Sequence, residues 1–174
     1  EKYKFGEGTS YIHLKLAELL YQKGKDFDQK NSPDSLRWKL KEAEDMCQII
    51  LKKLPKSPGA KQAQQLIDKI NESVLRVTSE EVSLPEEAFL AKITYKNIKA
   101  AYFKIIPLSF DKERQLSEGS NGLEVEKLLE ERAVRQWAVK LPNEGDHHQN
   151  SVEIIIKALD YGRYALVFSD HSDF

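Results

Sequence analysis

The sequence predicts an α+β fold, with antiparallel helices at the N-terminus followed by an antiparallel β-sandwich. Three observations carry this. Apolar residues recur at helical spacing as far as residue 75. Beyond it the period falls toward two, and β-branched and aromatic residues become frequent. No helix of useful length separates most of the later strand candidates, which favours antiparallel pairing over a parallel sheet. The predicted organisation is a helical part over 1–75 and a strand part over 76–174, with a short inserted helix near 123–132.

Three helices are expected, over 9–25, 34–54 and 58–75. Tyr11, Leu14, Ala17, Leu20 and Tyr21 form the first stripe. Leu36, Leu40, Ala43, Cys47, Ile50 and Leu54 form the second, and Ala60, Ala63, Leu66, Ile67 and Ile70 the third. Asn31-Ser32-Pro33-Asp34 reads as a helix start, because a short side-chain oxygen can accept a free first-turn amide while proline needs no partner there. Pro55 stops the second helix, and Ser57-Pro58 caps and opens the third.

Strands are expected over 76–82, 88–95 and 101–106, with Asn97 as the bend between the last two. A loop over 117–122 leads into the inserted helix. Further strands are expected over 133–141, 152–156 and 163–168, with Gly162 supplying positive φ in the last connection. Tyr102, Ile105, Trp137, Val139, Ile154, Ile156, Leu166 and Phe168 are the expected sandwich core.

The chain has 174 residues, with 27 Lys+Arg against 28 Asp+Glu. Residues 1–75 carry 14 basic and 11 acidic residues, net +3, which leaves −4 for 76–174. Neither part has the basic surplus of a nucleic-acid binder. A single Cys excludes an internal disulfide and a multi-thiolate zinc site. No apolar run reaches the roughly 18 residues of a membrane span, and Glu1-Lys2-Tyr3-Lys4-Phe5 is not a signal peptide.

No catalytic, cofactor-binding or metal-binding residue is assigned. His147-His148, beside Glu144 and Asp146, is the one cluster with metal-ligand chemistry. Adjacent imidazoles diverge on an extended loop and lack a spaced third ligand, so a solvated hairpin loop is expected. His13 and His171 read as surface or boundary residues. Cys47 lies on a helix-packing stripe, where an inert thiol is usual. Glu80-Glu81 and Glu130-Glu131 are neighbours that do not face one another, hence solvated. No Gly-x-Ser-x-Gly elbow and no phosphate-cradling glycine spacing occurs. The expectation is a protein that is not an enzyme and takes no cofactor.

The stretch from Ala43 through Cys47, Leu54-Pro55-Lys56-Ser57-Pro58-Gly59 and Ala63 resembles the helix-turn-helix of tetratricopeptide-type repeats, about one and a half units of it. Ile93-Thr94-Tyr95 through Ile105, Val134-Arg135-Gln136-Trp137 through Pro142 with Asp146 and His147, and Leu159-Asp160-Tyr161-Gly162 through Asp170 resemble the N-terminal region of the large alpha-2-macroglobulin-like proteins of Bacteroides-type bacteria. The resemblance covers roughly residues 40–174. It implies a helical leader before seven-stranded macroglobulin sandwiches, in a secreted or membrane-tethered protein that entraps or inhibits proteases. The implied location is the periplasm, cell envelope or exterior, as part of a lipoprotein. The implied partners are other domains of a larger parent chain, and proteases, but neither nucleic acid nor a membrane span in this chain. The family's thioester needs Cys followed by Glu-Gln, whereas Cys47 is followed by Gln48-Ile49, so that chemistry is not carried over. The chain is thus expected to be an N-terminal fragment, and Phe174 directly after a predicted strand fits that. The alternative is a stand-alone envelope module that binds peptides or glycans. A hydrolase built on Glu144, Asp146 and His147 has no positioned nucleophile in its favour.

Overall fold

The computed structural model describes residues 7–80, 83–117 and 122–173. Contacts divide the chain into two units: Glu1–Ser73 with Asn143–Gln149, and Val74–Pro142 with Asn150–Phe174.

The first unit holds α1 (Glu7–Lys25), α2 (Lys39–Lys53) and α3 (Pro58–Asn71). Their apolar stripes meet in one core of Leu14, Ala17, Cys47, Ile50, Ala63 and Ile67. Gly24 is required by close approach. A Cβ there would stand 2.7 Å from the backbone nitrogen of Leu40 and 2.9 Å from its Cγ.

Two helix boundaries differ from the sequence expectation. Pro33 opens only a 3-10 turn, Asp34–Leu36, and α2 begins at Lys39. The capping oxygens expected at 31–34 are used elsewhere: the Ser32 hydroxyl accepts the Asp28 amide at 2.9 Å, and Asp28 accepts the Lys30 amide at 3.0 Å and the Asn31 side chain. With no side-chain cap at Pro33, the helix does not propagate from there. The third helix stops at Asn71 rather than 75, because Val74 and Leu75 pair as strand with Lys96 and Tyr95.

The second unit holds β1 (Val74–Ser79), β2 (Phe89–Lys96), β3 (Ala100–Pro107), α4 (Phe110–Ser117), α5 (Gly122–Leu129), β4 (Arg135–Lys140), β5 (Asn150–Ile156) and β6 (Tyr164–Ser169). The strands form two antiparallel three-stranded sheets, β1-β2-β5 and β4-β3-β6, and neither closes into a barrel. Inward residues of both sheets share one core: Ile93 and Tyr95 from the first, Ala101 and Phe103 from the second, with Val77, Trp137, Ile154 and Leu166 packed against them. Phe103 is central, paired with Trp137 on one side and Phe168 on the other. It stacks on the Trp137 ring at 5.1 Å between centroids.

Several strand details correct the sequence reading. Phe103, fully buried, takes the core position expected of Tyr102, which lies on the opposite face of β3. Ile105 takes the inward place expected of it, and only Tyr102 falls on the other face, because both faces of β3 carry apolar residues. Phe168 belongs to the core-facing set yet is 38% exposed. Asn97 makes the expected bend, in the left-handed region at φ 57°. Gly162 does not adopt positive φ; a Cβ there would press within 3.1–3.2 Å of the Tyr164 ring and hydroxyl. Helix α4, Phe110–Ser117, has no counterpart among the expected elements; its residues are mostly charged and polar. Glu81, Val82 and the loop residues 118–121 lie outside the described residues.

Candidate functional site

The predicted histidine loop gathers a cluster of hydrogen bonds and ion pairs. It leaves β4 after Pro142, runs from Asn143 to Gln149 as part of the helical unit, and returns into β5 at Asn150. Its shape is set locally. The Asn143 side-chain oxygen accepts the Gly145 amide at 2.9 Å, Gly145 sits at φ 77°, and His147 also takes positive φ, 62°. Asp146 accepts the His148 amide at 3.1 Å, an Asx turn that fixes the direction of both histidines.

The partners come from the helical hairpin. Arg37, just after the 3-10 turn, donates from Nε to Asp146 at 2.9 Å and from Nη2 to Glu144 at 2.5 Å. The Arg37 carbonyl accepts His148 Nε2 at 2.9 Å, so His148 carries its proton there, and its ring lies 4.8 Å from that of Phe27. On α2, Glu44 receives Lys41 at 2.6 Å, Asn71 of α3 at 2.9 Å and His147 Nε2 at 3.2 Å. Asp146 is 4% exposed and Glu44 6%. The loop is therefore docked through buried carboxylates, not solvated as its composition suggested. Docking follows from satisfiability: each buried carboxylate oxygen needs donors, and Arg37, Lys41 and Asn71 supply them.

Electrostatics matches the geometry. Burial pushes the Asp146 carboxyl up, but the Arg37 hydrogen bond, the His148 amide and the adjacent positive charges outweigh it and hold the group below the usual aspartate value. Burial opposes ionisation of Glu44 likewise; the Lys41 and Asn71 hydrogen bonds with the charges of Lys41 and His147 bring it below normal. Both carboxylates are thus held ionised and already partnered.

Among the described residues no group of three or more His, Cys, Asp or Glu is placed to hold a metal ion. Cys47 packs in the helical core, and burial, with the negative charges of Glu18 and Glu44, pushes its thiol up to about 11. That suits a packing thiol rather than a nucleophile. His13 donates to the Thr9 carbonyl at 2.7 Å, and His171 bonds Asp170 at 2.7 Å. Glu80 and Glu130 are exposed, and Glu131 pairs with Lys112. The sequence reading missed Arg37 and Glu44 as partners of the loop, and Asn71 as a donor to Glu44. One signal was present: Glu44 falls on the apolar stripe between Ala43 and Cys47, where a carboxylate needs a donor from elsewhere.

Two clefts lie beside exposed apolar surface among the described residues. One in the helical unit, about 520 Å³, is lined by Leu19, Tyr21, Leu66 and Lys69. It adjoins an exposed apolar stripe on α1, with Ile12 at 69% and Leu19 at 60% exposure. One in the strand unit, about 450 Å³, is lined by Phe89, Ile105, Leu159, Tyr164 and Leu166. No helix of the described residues is long and apolar enough to cross a membrane. Comparison with protein-family models, with curated proteins and with solved structures gave no match.

Proposed function

We propose that the chain is a non-catalytic structural and interaction module: the N-terminal part of an alpha-2-macroglobulin-like protease inhibitor of the bacterial cell envelope, with tetratricopeptide-like helices ahead of a macroglobulin- or immunoglobulin-like sandwich. Strand order is the observation that carries the reading. Lettered along the chain as A, B, C, C′, E and F, the pairings β1-β2-β5 and β4-β3-β6 become A-B-E and C′-C-F. That is the pairing logic of immunoglobulin-like sandwiches, in which the second and third strands sit at the centres of opposite sheets. The family's domain has seven strands, and six occur among the described residues. The polar groups of the histidine loop support a non-catalytic role, since they are engaged in docking the loop onto the helices.

Immunoblotting of fractionated source cells with an antibody against this chain tests the proposal. The expected band lies in the envelope fraction at several times the 20.0 kDa of this chain, and it incorporates methylamine through a downstream thioester. A cytosolic band near 20.0 kDa would reject it. The exposed α1 stripe and its adjoining groove favour a second reading, a module that binds an amphipathic peptide. A peptide array without signal above background would count against that.

A further inference from the structure

The exposed apolar side chains of the strand unit gather at one end of it. Among its described residues these are Leu84, Leu90, Phe110, Val134, Ile155 and Tyr161, with Phe168 of β6 the one large apolar group exposed elsewhere. Strand direction places the six together. β2, β4 and β6 begin at this end, and β3 and β5 finish there. Leu90 near the start of β2 is beside Ile155 of β5, Val134 just precedes β4, Phe110 opens α4 after β3, and Leu84 and Tyr161 lie in the β1–β2 and β5–β6 connections. Ile155 is 71% exposed and Tyr161 92%. At the other end of the strands, Ile98 and Leu141 are buried. Hydrogen bonds between connections fix the apolar end. The Glu86 amide donates to the Leu159 carbonyl at 3.0 Å and the Leu108 amide to the Arg163 carbonyl at 2.8 Å. Arg135 donates from Nη1 to the Lys157 carbonyl at 2.7 Å and from Nη2 to the Ala158 carbonyl at 3.0 Å. A fixed end that shows large apolar groups to water has the character of an interaction surface.

We propose that this apolar end seats against the next sandwich of the parent chain. The inference rests on the reading of the strand unit as an immunoglobulin-like sandwich within a larger inhibitor. In that topology β6 is the sixth of seven strands, and the seventh runs antiparallel beside it. β6 begins at the apolar end, so the seventh strand finishes there, and from there the chain enters its next sandwich. The exposed apolar groups thus lie where that sandwich arrives. Charge adds a requirement on the partner surface. The β1–β2 connection, which holds Leu84, also carries Glu80, Glu86 and Glu87 and no basic residue. Of the cations at this end, Arg163 is paired with Glu113 and Lys112 with Glu131, while Arg135 is spent on backbone carbonyls. The surface that meets the β1–β2 connection is therefore apolar and bordered by lysine or arginine.

Hydroxyl-radical footprinting of the native full-length protein against the 174-residue chain is the test. Tyr161, Leu84 and Ile155 should be labelled several-fold less in the full-length protein. Zero-length carbodiimide cross-linking should join Glu86 or Glu87 to lysines of the next sandwich in the same chain. Tyr161→Lys, a change at a turn residue 92% exposed, should return Leu84 and Ile155 of the full-length protein to the labelling seen in the 174-residue chain. A full-length protein of several sandwiches whose Tyr161, Leu84 and Ile155 are labelled as in the 174-residue chain overturns the inference and leaves the inhibitor reading standing. So does cross-linking of Glu86 and Glu87 to other proteins alone, or protection that Tyr161→Lys leaves unchanged. A native protein with no further sandwich overturns the reading itself, and the inference with it.

Discussion

The two units stabilise themselves by different physics. Every buried polar or charged side chain among the described residues lies in the helical unit: Ser10 on α1, Glu44 on α2 and Asp146 on the docked loop. The strand unit buries Ile93, Tyr95, Phe103, Ile105 and Ile156, with Tyr95 reaching the Pro142 carbonyl at 2.6 Å as its polar exception. Hydrophobic burial is indifferent to pH and tolerant of register within a face, whereas buried carboxylates demand particular donors and a particular ionisation. The helical unit has therefore gained a specified attachment for the loop at the cost of acid sensitivity. The strand unit has neither. Each unit carries one tryptophan, Trp38 or Trp137, so fluorescence of the Trp38→Phe and Trp137→Phe variants follows them separately.

The largest expected effect falls on the strand unit. Phe103→Ala removes a fully buried ring stacked on Trp137 and should cost about 3–5 kcal/mol. Urea unfolding followed through Trp137 measures it, and a loss below about 1 kcal/mol would mean that the shared core is not held by this residue.

Asp146→Asn tests the opposite pole of the comparison. It keeps the shape of the side chain but removes the charge that Arg37 meets, and the helical unit should lose about 1.5–3 kcal/mol. The pH dependence has a definite sign. Asp146 and Glu44 have folded values below the ordinary 3.8 and 4.5, so in that range the unfolded chain binds more protons than the folded one. Their contribution is full above the ordinary values and is lost as pH falls from about 4.5 through the lower folded values. Thermal melts of the wild type should show the Trp38 transition falling across that window. Asp146→Asn should flatten the fall, and an unchanged slope would place the acid sensitivity elsewhere.

These contrasts also mark what could be read in advance. The helical stripes and the alternating strands are local patterns, so the α+β class, Asn97 as a bend and Cys47 as a packing residue were legible from residue spacing alone. The inward residue at the start of β3 was not, because Ala101-Tyr102-Phe103 is apolar on both faces and only the register with Trp137 and Phe168 decides between Tyr102 and Phe103. The docked loop was illegible for a different reason. Arg37 and Asp146 are separated by 109 positions, and nothing in the composition of Glu144-Gly145-Asp146-His147-His148 announces a distant donor. The misplaced start of α2 was a competition: Ser32, a good cap by type, bonds the Asp28 amide instead.

A smaller effect probes how tightly the helices that receive the loop are packed. Gly24→Ala puts a methyl carbon 2.7 Å from the Leu40 backbone nitrogen, and backbone cannot swing aside as a side chain would. The cost should be about 1–3 kcal/mol in the Trp38 transition with the Trp137 transition unmoved. Equal shifts in both would show that the two units unfold together.

The smallest effect is the most discriminating about capping. Ser57 occupies the N-cap of α3 with Pro58 behind it, the arrangement its sequence predicts, yet its hydroxyl accepts no first-turn amide and lies buried without a hydrogen-bond partner. A bonded serine cap replaced by alanine costs about 1 kcal/mol. Here the folded state has no such bond to lose, and alanine removes a buried polar atom, whose desolvation the native state bears without return. Ser57→Ala should therefore shift stability by less than about 0.5 kcal/mol, with stabilisation the favoured sign. A loss near 1 kcal/mol in the same urea titration would show that the hydroxyl caps α3 in solution. The start of that helix would then be specified by Ser57 itself, not by the fixed φ of Pro58 and the burial of Gly59 and Ala60 that follow it.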